Sequence, residues 1–144
     1  MEKKQNLLDL DFEALKNFLT KKIGIEDKKI NMRTQQLFTA IYQKGIKNFN
    51  ELTTIPLDLR EKLNKFFSLN ESKIAETHKS LDGTIKFLIK LSDGNKVECV
   101  YIPEKTRGTI CVSSQVGCSL TCSFCRSGTQ KLVKNLIASE IVSQ

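Results

Sequence analysis

The chain has a single histidine, His78, and no cysteine before residue 99. No apolar run approaches the ~20 residues that cross a bilayer as a helix, so a membrane-spanning role is not expected. The opening Met1-Glu2-Lys3-Lys4-Gln5-Asn6 carries an early acid and no apolar leader core, and a cytoplasmic protein is expected. There is no internal repeat and no low-complexity tract. A disulfide scaffold would scatter its cysteines along the chain, and their absence from the first two thirds argues against one.

What is present suits a compact protein of ordinary composition. Hydrophobic residues make up 40% of 144, enough for one core or two small ones. The net charge of +7, from 23 Lys and Arg against 16 Asp and Glu, is spread over the chain and not confined to one tail. Dispersed positive charge suits a polyanionic partner, because each phosphate neutralised releases condensed counterions. A solvated lysine-rich surface is the other reading of the same number.

The first seventy residues carry helical patterning. Asp11 can cap a helix in which Phe12, Leu15, Phe18, Leu19 and Ile23 recur at threes and fours, with Gly24 as its stop. After a polar stretch from Ile25 to Ile30, a second helix is expected from near Asn31. It carries Leu37, Phe38, Ile41 and Tyr42 and ends at Gly45. Asn48 can cap a short turn over Phe49 and Leu52. Pro56 sits early in a last helix bearing Leu59, Leu63, Phe66 and Phe67. These stripes read as core, and together they describe a small helical bundle.

Composition changes near Ser68-Leu69-Asn70. From Lys73 the pattern is extended, with strands over Thr84 to Leu91 and Lys96 to Ile102. Asp93-Gly94 between them is a hairpin signal, since glycine accepts the positive φ of a primed turn. Asp82-Gly83 marks an earlier turn of the same kind, and Pro103 closes the second strand. Thr109 to Ser113 reads as a further short buried strand, followed by a loop rich in Cys, Ser and Gly. Ser139 to Gln144 reads as the opening turns of a helix. A strand, a cysteine loop and a helix start make one βα unit, the first of something larger. The expected class is therefore α+β to α/β, and the chain is expected to stop partway through its second fold.

The cysteines are Cys99, Cys111, Cys118, Cys122 and Cys125. Cys118, Cys122 and Cys125 give the spacing C-x3-C-x2-C. Three thiolates this close can ligate three corners of a cubane iron–sulfur cluster and leave the fourth iron open to a chelating ligand. Phe124 takes the aromatic position of the radical S-adenosylmethionine signature. In that chemistry the cofactor's amino and carboxylate groups bind the open iron, and one electron cleaves its sulfonium bond to give a 5′-deoxyadenosyl radical. A structural zinc site is the alternative, but zinc takes a closed set of four ligands. His78 is remote in sequence, and recruiting Cys111 gives C-x6-C-x3-C-x2-C, not a standard zinc spacing.

Further residues narrow the resemblance. Val97-Glu98-Cys99-Val100-Tyr101-Ile102-Pro103-Glu104, then Cys111-Val-Ser-Ser-Gln-Val-Gly-Cys118, resembles the RlmN family, which methylates C2 of adenine in 23S rRNA and certain tRNAs. Ser127-Gly128-Thr129-Gln130-Lys131, Asn135-Leu136 and Ser139-Glu140-Ile141 are similar to the same family's approach to its first barrel helix. Met32-Arg33-Thr34-Gln35-Gln36-Leu37-Phe38 and Ile41-Tyr42-Gln43-Lys44-Gly45 resemble its N-terminal accessory domain. The likeness implies a helical RNA-binding accessory domain at 1–70 and a β-hairpin connector at 71–105. The start of a radical S-adenosylmethionine βα barrel would then occupy 106–144.

The same resemblance implies roles. Cys118, Cys122 and Cys125 would hold a [4Fe–4S] cluster whose open iron binds S-adenosylmethionine. Glu98 matches the acceptor of the adenine C2 proton, a task that depends on its reach and pKa; by itself it would be an exposed strand carboxylate. Cys111 matches the resolving thiol, which forms a transient disulfide with a methyl-carrying cysteine. By itself it would be an inert core residue. Cys99 carries no such role and is expected to be structural. The implied partners are 23S rRNA, tRNA and an electron donor such as flavodoxin, and a monomer is expected.

The methyl-carrying cysteine, the later barrel and its cofactor-binding residues are not in these 144 residues, against on the order of 200 for such a barrel. A broken gene, a split gene or a shortened product would account for this, and a catalytically inactive chain is expected. Two other readings stand beside it: a related enzyme methylating C8 of the same rRNA adenine, and a non-catalytic basic remnant that holds RNA through phosphate contacts.

Overall fold

The computed structural model describes residues 4–69, 72–120 and 122–144. The chain divides into two compact units, Met1–Asn70 and Glu71–Gln144, and the junction residues Asn70 and Glu71 lie outside the described set.

The first unit is the helical one. Helix α1 (Phe12–Phe18) is capped by Asp11, whose carboxylate accepts the Ala14 N–H at 2.7 Å. The helix widens over Leu19–Ile23 and stops at Gly24, whose φ of 79° is the left-handed cap conformation. Helix α2 (Asp27–Phe38) continues as a wide turn over Thr39–Gln43. It starts four residues before the expected Asn31. Ile30 is the reason: it is buried and stands on one stripe with Thr34, Leu37 and Ile41, so the segment treated as a polar linker supplies a core residue. Asp27 adds an acid in the first turn, where the helix dipole favours it.

Asn48 caps the turn Phe49–Glu51 reciprocally, its side chain accepting the Asn50 N–H while Glu51 accepts the Asn48 N–H. Helix α3 (Leu57–Phe66) follows Pro56 directly. Phe67 is not on this helix as expected. It lies in the two-residue strand β2 (Phe67–Ser68), paired in parallel with β1 (Gln5–Asn6), and only 1% of its surface is exposed. A turn of strand aims its ring inward against Phe18, with centroids 4.6 Å apart. Leu7, Leu15, Leu19, Leu37, Phe49, Ile55 and Leu63 complete the core. Thr34 is buried among them, its hydroxyl donating to the Ile30 carbonyl at 2.9 Å.

The second unit is built on a four-stranded antiparallel sheet in sequential order: β3 (Lys73–Lys79), β4 (Ile85–Lys90), β5 (Lys96–Pro103) and β6 (Gly108–Cys111). Both Asp-Gly turns form as expected. Gly83 and Gly94 take φ of 87° and 90°, and Asp82 and Asp93 accept the N–H two residues on. The strand expected to be buried, β6, is exposed along its length, because it is an edge strand with no further ladder on its outer side among the described residues.

A small ladder of β7 (Gln115–Val116) with β8 (Lys134–Asn135) and a short helix α4 (Ala138–Val142) complete the unit. Alternation along β4 and β5 sends Phe87, Ile89, Val97 and Cys99 into a core with Leu91, Leu136, Val116 and Ile141. Lys134 ties this core's rim together, pairing with both Asp93 at the hairpin turn and Glu140 on α4. Among the described residues, no helix is long and apolar enough to cross a membrane.

Candidate active site and cluster loop

Strand register decides which side chains share a face. Glu98 on β5 stands opposite Leu88, while Val100 stands between Lys86 on β4 and Cys111 on β6. Cross-strand partners point to the same side, as do residues two apart on one strand. Glu98, Lys86 and Cys111 therefore lie on one face of the sheet, and Cys99 lies on the other. Lys86 Nζ reaches Glu98 Oε1 at 2.9 Å, with both side chains about half exposed. Ser113 continues the β6 edge, and its hydroxyl donates to the Glu98 carbonyl at 2.8 Å, holding the backbone beneath the carboxylate.

The two central cysteines differ in kind. Cys99 is buried, and burial first, then the neighbouring Cys111, pushes its thiol above the ordinary range. Its burial in the sheet's core suits the structural part expected of it. Cys111 is exposed. Its surroundings on a buried strand were the expectation, and the open edge reverses them.

The loop bearing Cys118, Cys122 and Cys125 is shaped by two glycines. Gly117 takes φ of 76°, and a side chain there would run into the Lys131 carbonyl oxygen. Cys118 in turn bridges to Lys131, its N–H donating to the Gln130 carbonyl at 3.3 Å. A side chain at Gly128 would meet the backbone oxygen and nitrogen of Cys122 at 2.7 and 2.9 Å. The loop therefore packs backbone against backbone, which only glycine permits.

Within it the Cys125 N–H donates to the Cys122 carbonyl at 3.2 Å, and the Gly128 N–H to the Cys125 carbonyl at 3.0 Å. The Leu120 N–H donates to Cys118 Sγ at 3.3 Å. Phe124 is 90% exposed.

The donor set fits a cluster in its chemistry. All three thiols are free and half-buried on one loop. Among the described residues, no three His, Cys, Asp or Glu side chains are gathered as a single ion would need. His78 sits on β3 beside Glu76, on an exposed strand.

A pocket of about 400 Å³ joins the sheet to this loop, lined by Leu88, Lys96, Glu98 and Ser113 on one side and by Gln115, Gly117, Arg126 and Gln130 on the other. It brings Glu98 to the cysteine loop but does not include Cys111. Sequence reading singled out neither Lys86 nor Lys96. Counting outward from the Asp93-Gly94 turn would have found Lys86, since that register sets it diagonal to Glu98.

The chain is similar to known proteins over most of its length. Residues 5–69 match the family described as the ribosomal RNA large subunit methyltransferase N-terminal domain. The chain is 45% identical over 141 residues to the dual-specificity RNA methyltransferase RlmN of Dinoroseobacter shibae, covering 98% of this chain and 36% of that protein. Against the RlmN of Beijerinckia indica it is 50% identical over 128 residues, 85% of this chain and 33% of that one. The crystal structure of a radical SAM methyltransferase from Sphaerobacter thermophilus superposes with a TM-score of 0.80 at 33% identity, over 95% of this chain and 39% of that one. The chain spans about a third of the length of the curated relatives it matches. The chain belongs to the RlmN family and corresponds to its N-terminal portion.

Proposed function

We propose that these residues serve a radical S-adenosylmethionine RNA methyltransferase that modifies C2 of adenine in 23S rRNA and tRNA. The observation that carries the reading is the shared face of Glu98 and Cys111, with the cysteine loop bordering the pocket beside Glu98. An acceptor for the C2 proton and a thiol that attacks the sulfur linked to that base must work side by side, and a single sheet face allows it. The helical unit, 1–70, would be the RNA-binding accessory domain, 71–105 a connector, and 106–144 the beginning of the barrel.

Cys118, Cys122 and Cys125 would hold a [4Fe–4S] cluster, which with bound S-adenosylmethionine supplies a carbon-centred radical. Glu98 would take the C2 proton onto Oε1 or Oε2, with Lys86 beside it to balance the carboxylate before the transfer. Cys111, open at the sheet edge, would attack as a thiolate the sulfur of the methyl-carrying cysteine once a methylene joins it to the base; the S–S bond would form as the S–C bond breaks, and the freed carbon would take a proton to complete the methyl group. An electron donor of the flavodoxin type would serve the cluster. The methyl-carrying cysteine belongs to the portion of the relatives that this chain does not span, so the 144 residues alone should bind a cluster without completing methyl transfer.

Anaerobic reconstitution with iron and sulfide tests this. The chain should gain about four of each with a brown visible chromophore, and the triple variant with Cys118, Cys122 and Cys125 changed to Ala should gain none. Equal uptake by the variant, or a colourless zinc adduct in its place, would remove the reading. Formation of 2-methyladenosine by the chain alone, with reductant, cofactor and rRNA, would overturn its predicted inactivity.

A further inference from the structure

The geometry points to the pocket beside Glu98 as a seat for one nucleotide of single-stranded RNA, its phosphodiester held between Lys96 and Arg126. The inference rests on the RNA methyltransferase reading above and adds the groups that would hold the backbone.

Three observations carry it. The first is size: about 400 Å³ suits a nucleotide and lies in the ordinary range of small-ligand sites. The second is charge. Lys96, at the start of β5, and Arg126, directly after Cys125, both line the pocket. Neither side chain has an ion pair or hydrogen bond among the described residues. The pocket's one carboxylate, Glu98, is already offset by Lys86. The site therefore holds surplus positive charge, and the flat guanidinium fork of an arginine suits phosphate oxygens.

The third is the polar lining. Beyond its charged groups the pocket has one apolar side chain, Leu88, since that of Val97 turns into the sheet's core, and the remainder is amide, hydroxyl and backbone. Gln115 spends its Nε2 on Asn135 at 2.7 Å and keeps its oxygen open, while the Gln130 side chain has no partner among the described residues. Such groups can meet the donor and acceptor edge of a base but would waste hydrogen bonds on an apolar ligand.

The phosphate could belong to an RNA chain or to a free nucleotide, and the basic surplus spread over the whole protein favours the chain. The test uses the ¹⁵N-labelled 144-residue protein with an adenine-rich single-stranded hexaribonucleotide, AMP and adenosine. The hexamer should shift the amides of Gln115, Ser127 and Gln130, AMP should shift the same amides at higher concentration, and adenosine should bind roughly tenfold more weakly than the hexamer. Arg126→Gln and Lys96→Gln should each lower the salt dependence of hexamer binding by about 0.7 in log–log slope, the value for one phosphate contact on a single strand. Arg126→Lys should restore that slope, which separates charge from misfolding.

The inference is overturned if those amides do not move, if both neutral variants keep the wild-type slope, if AMP outcompetes the hexamer, or if S-adenosylmethionine shifts the same amides and displaces the RNA. Iron and sulfide uptake measured on the same material separates the two readings. A chain that gains its cluster but leaves the pocket amides unmoved loses this nucleotide seat and keeps the methyltransferase assignment.

Discussion

Glu98 and Lys86 meet along the diagonal of an antiparallel ladder, carboxylate oxygen to ammonium at 2.9 Å, on the face of the sheet turned away from its core. Both side chains are about half exposed, so solvent screens the pair and its stabilising worth is under about 1 kcal/mol. Lys86→Met and Glu98→Gln should each leave the urea unfolding free energy within that limit. A loss above roughly 2 kcal/mol in either would make the pair structural and weaken its assignment to proton transfer.

The cysteine loop should be intolerant of even a small side chain at Gly117. Gly117→Ala adds a methyl against the Lys131 carbonyl and also strains a positive φ, and neither defect can be relieved by turning a side chain. Its cost should exceed about 2 kcal/mol. Gly94→Ala, with φ of 90° but nothing within 4 Å, should cost only about 1 kcal/mol. Urea midpoints of the two variants check the order, and equal losses would show that the close backbone approach at Gly117 is not a constraint.

Acid should loosen the second unit through Asp93. The hydrogen bond from Lys134 first, then that from the Asn95 N–H, holds this carboxyl at about 2, below its usual value near 4. A depressed folded pKa contributes stability above the unfolded value and loses it as pH falls through the folded one. Wild-type thermal stability should therefore fall between pH 4 and pH 2, and Asp93→Asn should flatten that limb. Lys134 is shifted the opposite way, upward, by Asp93 and then Glu140. Its contribution is present below the ordinary lysine range and disappears only as pH rises above it. Parallel acid limbs in wild type and variant would contradict the assignment.

Alkylation should separate the two cysteines of the sheet. Cys111 is exposed, while Cys99 is buried and its thiol is raised by that burial. The thiolate is the reactive form, so iodoacetamide at pH 8 should modify Cys111 well before Cys99. Peptide mass mapping over time reads the order, and modification of Cys99 first would mean that the sheet opens on this timescale.

Much of the fold was legible because it depends on local patterning. Asp11 and Gly24 bound a helix, Asn48 caps a turn, and both Asp-Gly pairs close hairpins, since each signal is a property of a few adjacent residues. Failures came where partners distant in sequence decide. The start of α2 follows from Ile30 finding a core, and Phe67 leaves its helix to pair with Gln5. Strand β6 is apolar enough to read as buried, yet its own residues do not say whether a further strand will cover it. Its place at the sheet edge depends on what else is available to pair with it.

By itself the sequence determined the family, the spacing of Cys118, Cys122 and Cys125 and the periodic stripes, because spacing along a chain is already a chemical and geometric statement. Only the tertiary structure placed Lys86 against Glu98, put Cys111 on that same face with Cys99 behind it, and gathered Lys96 and Arg126 around one pocket. Those relations arise from strand register and from backbones brought together at glycines, and a linear pattern does not carry the hydrogen bonds that select one pairing over its neighbours.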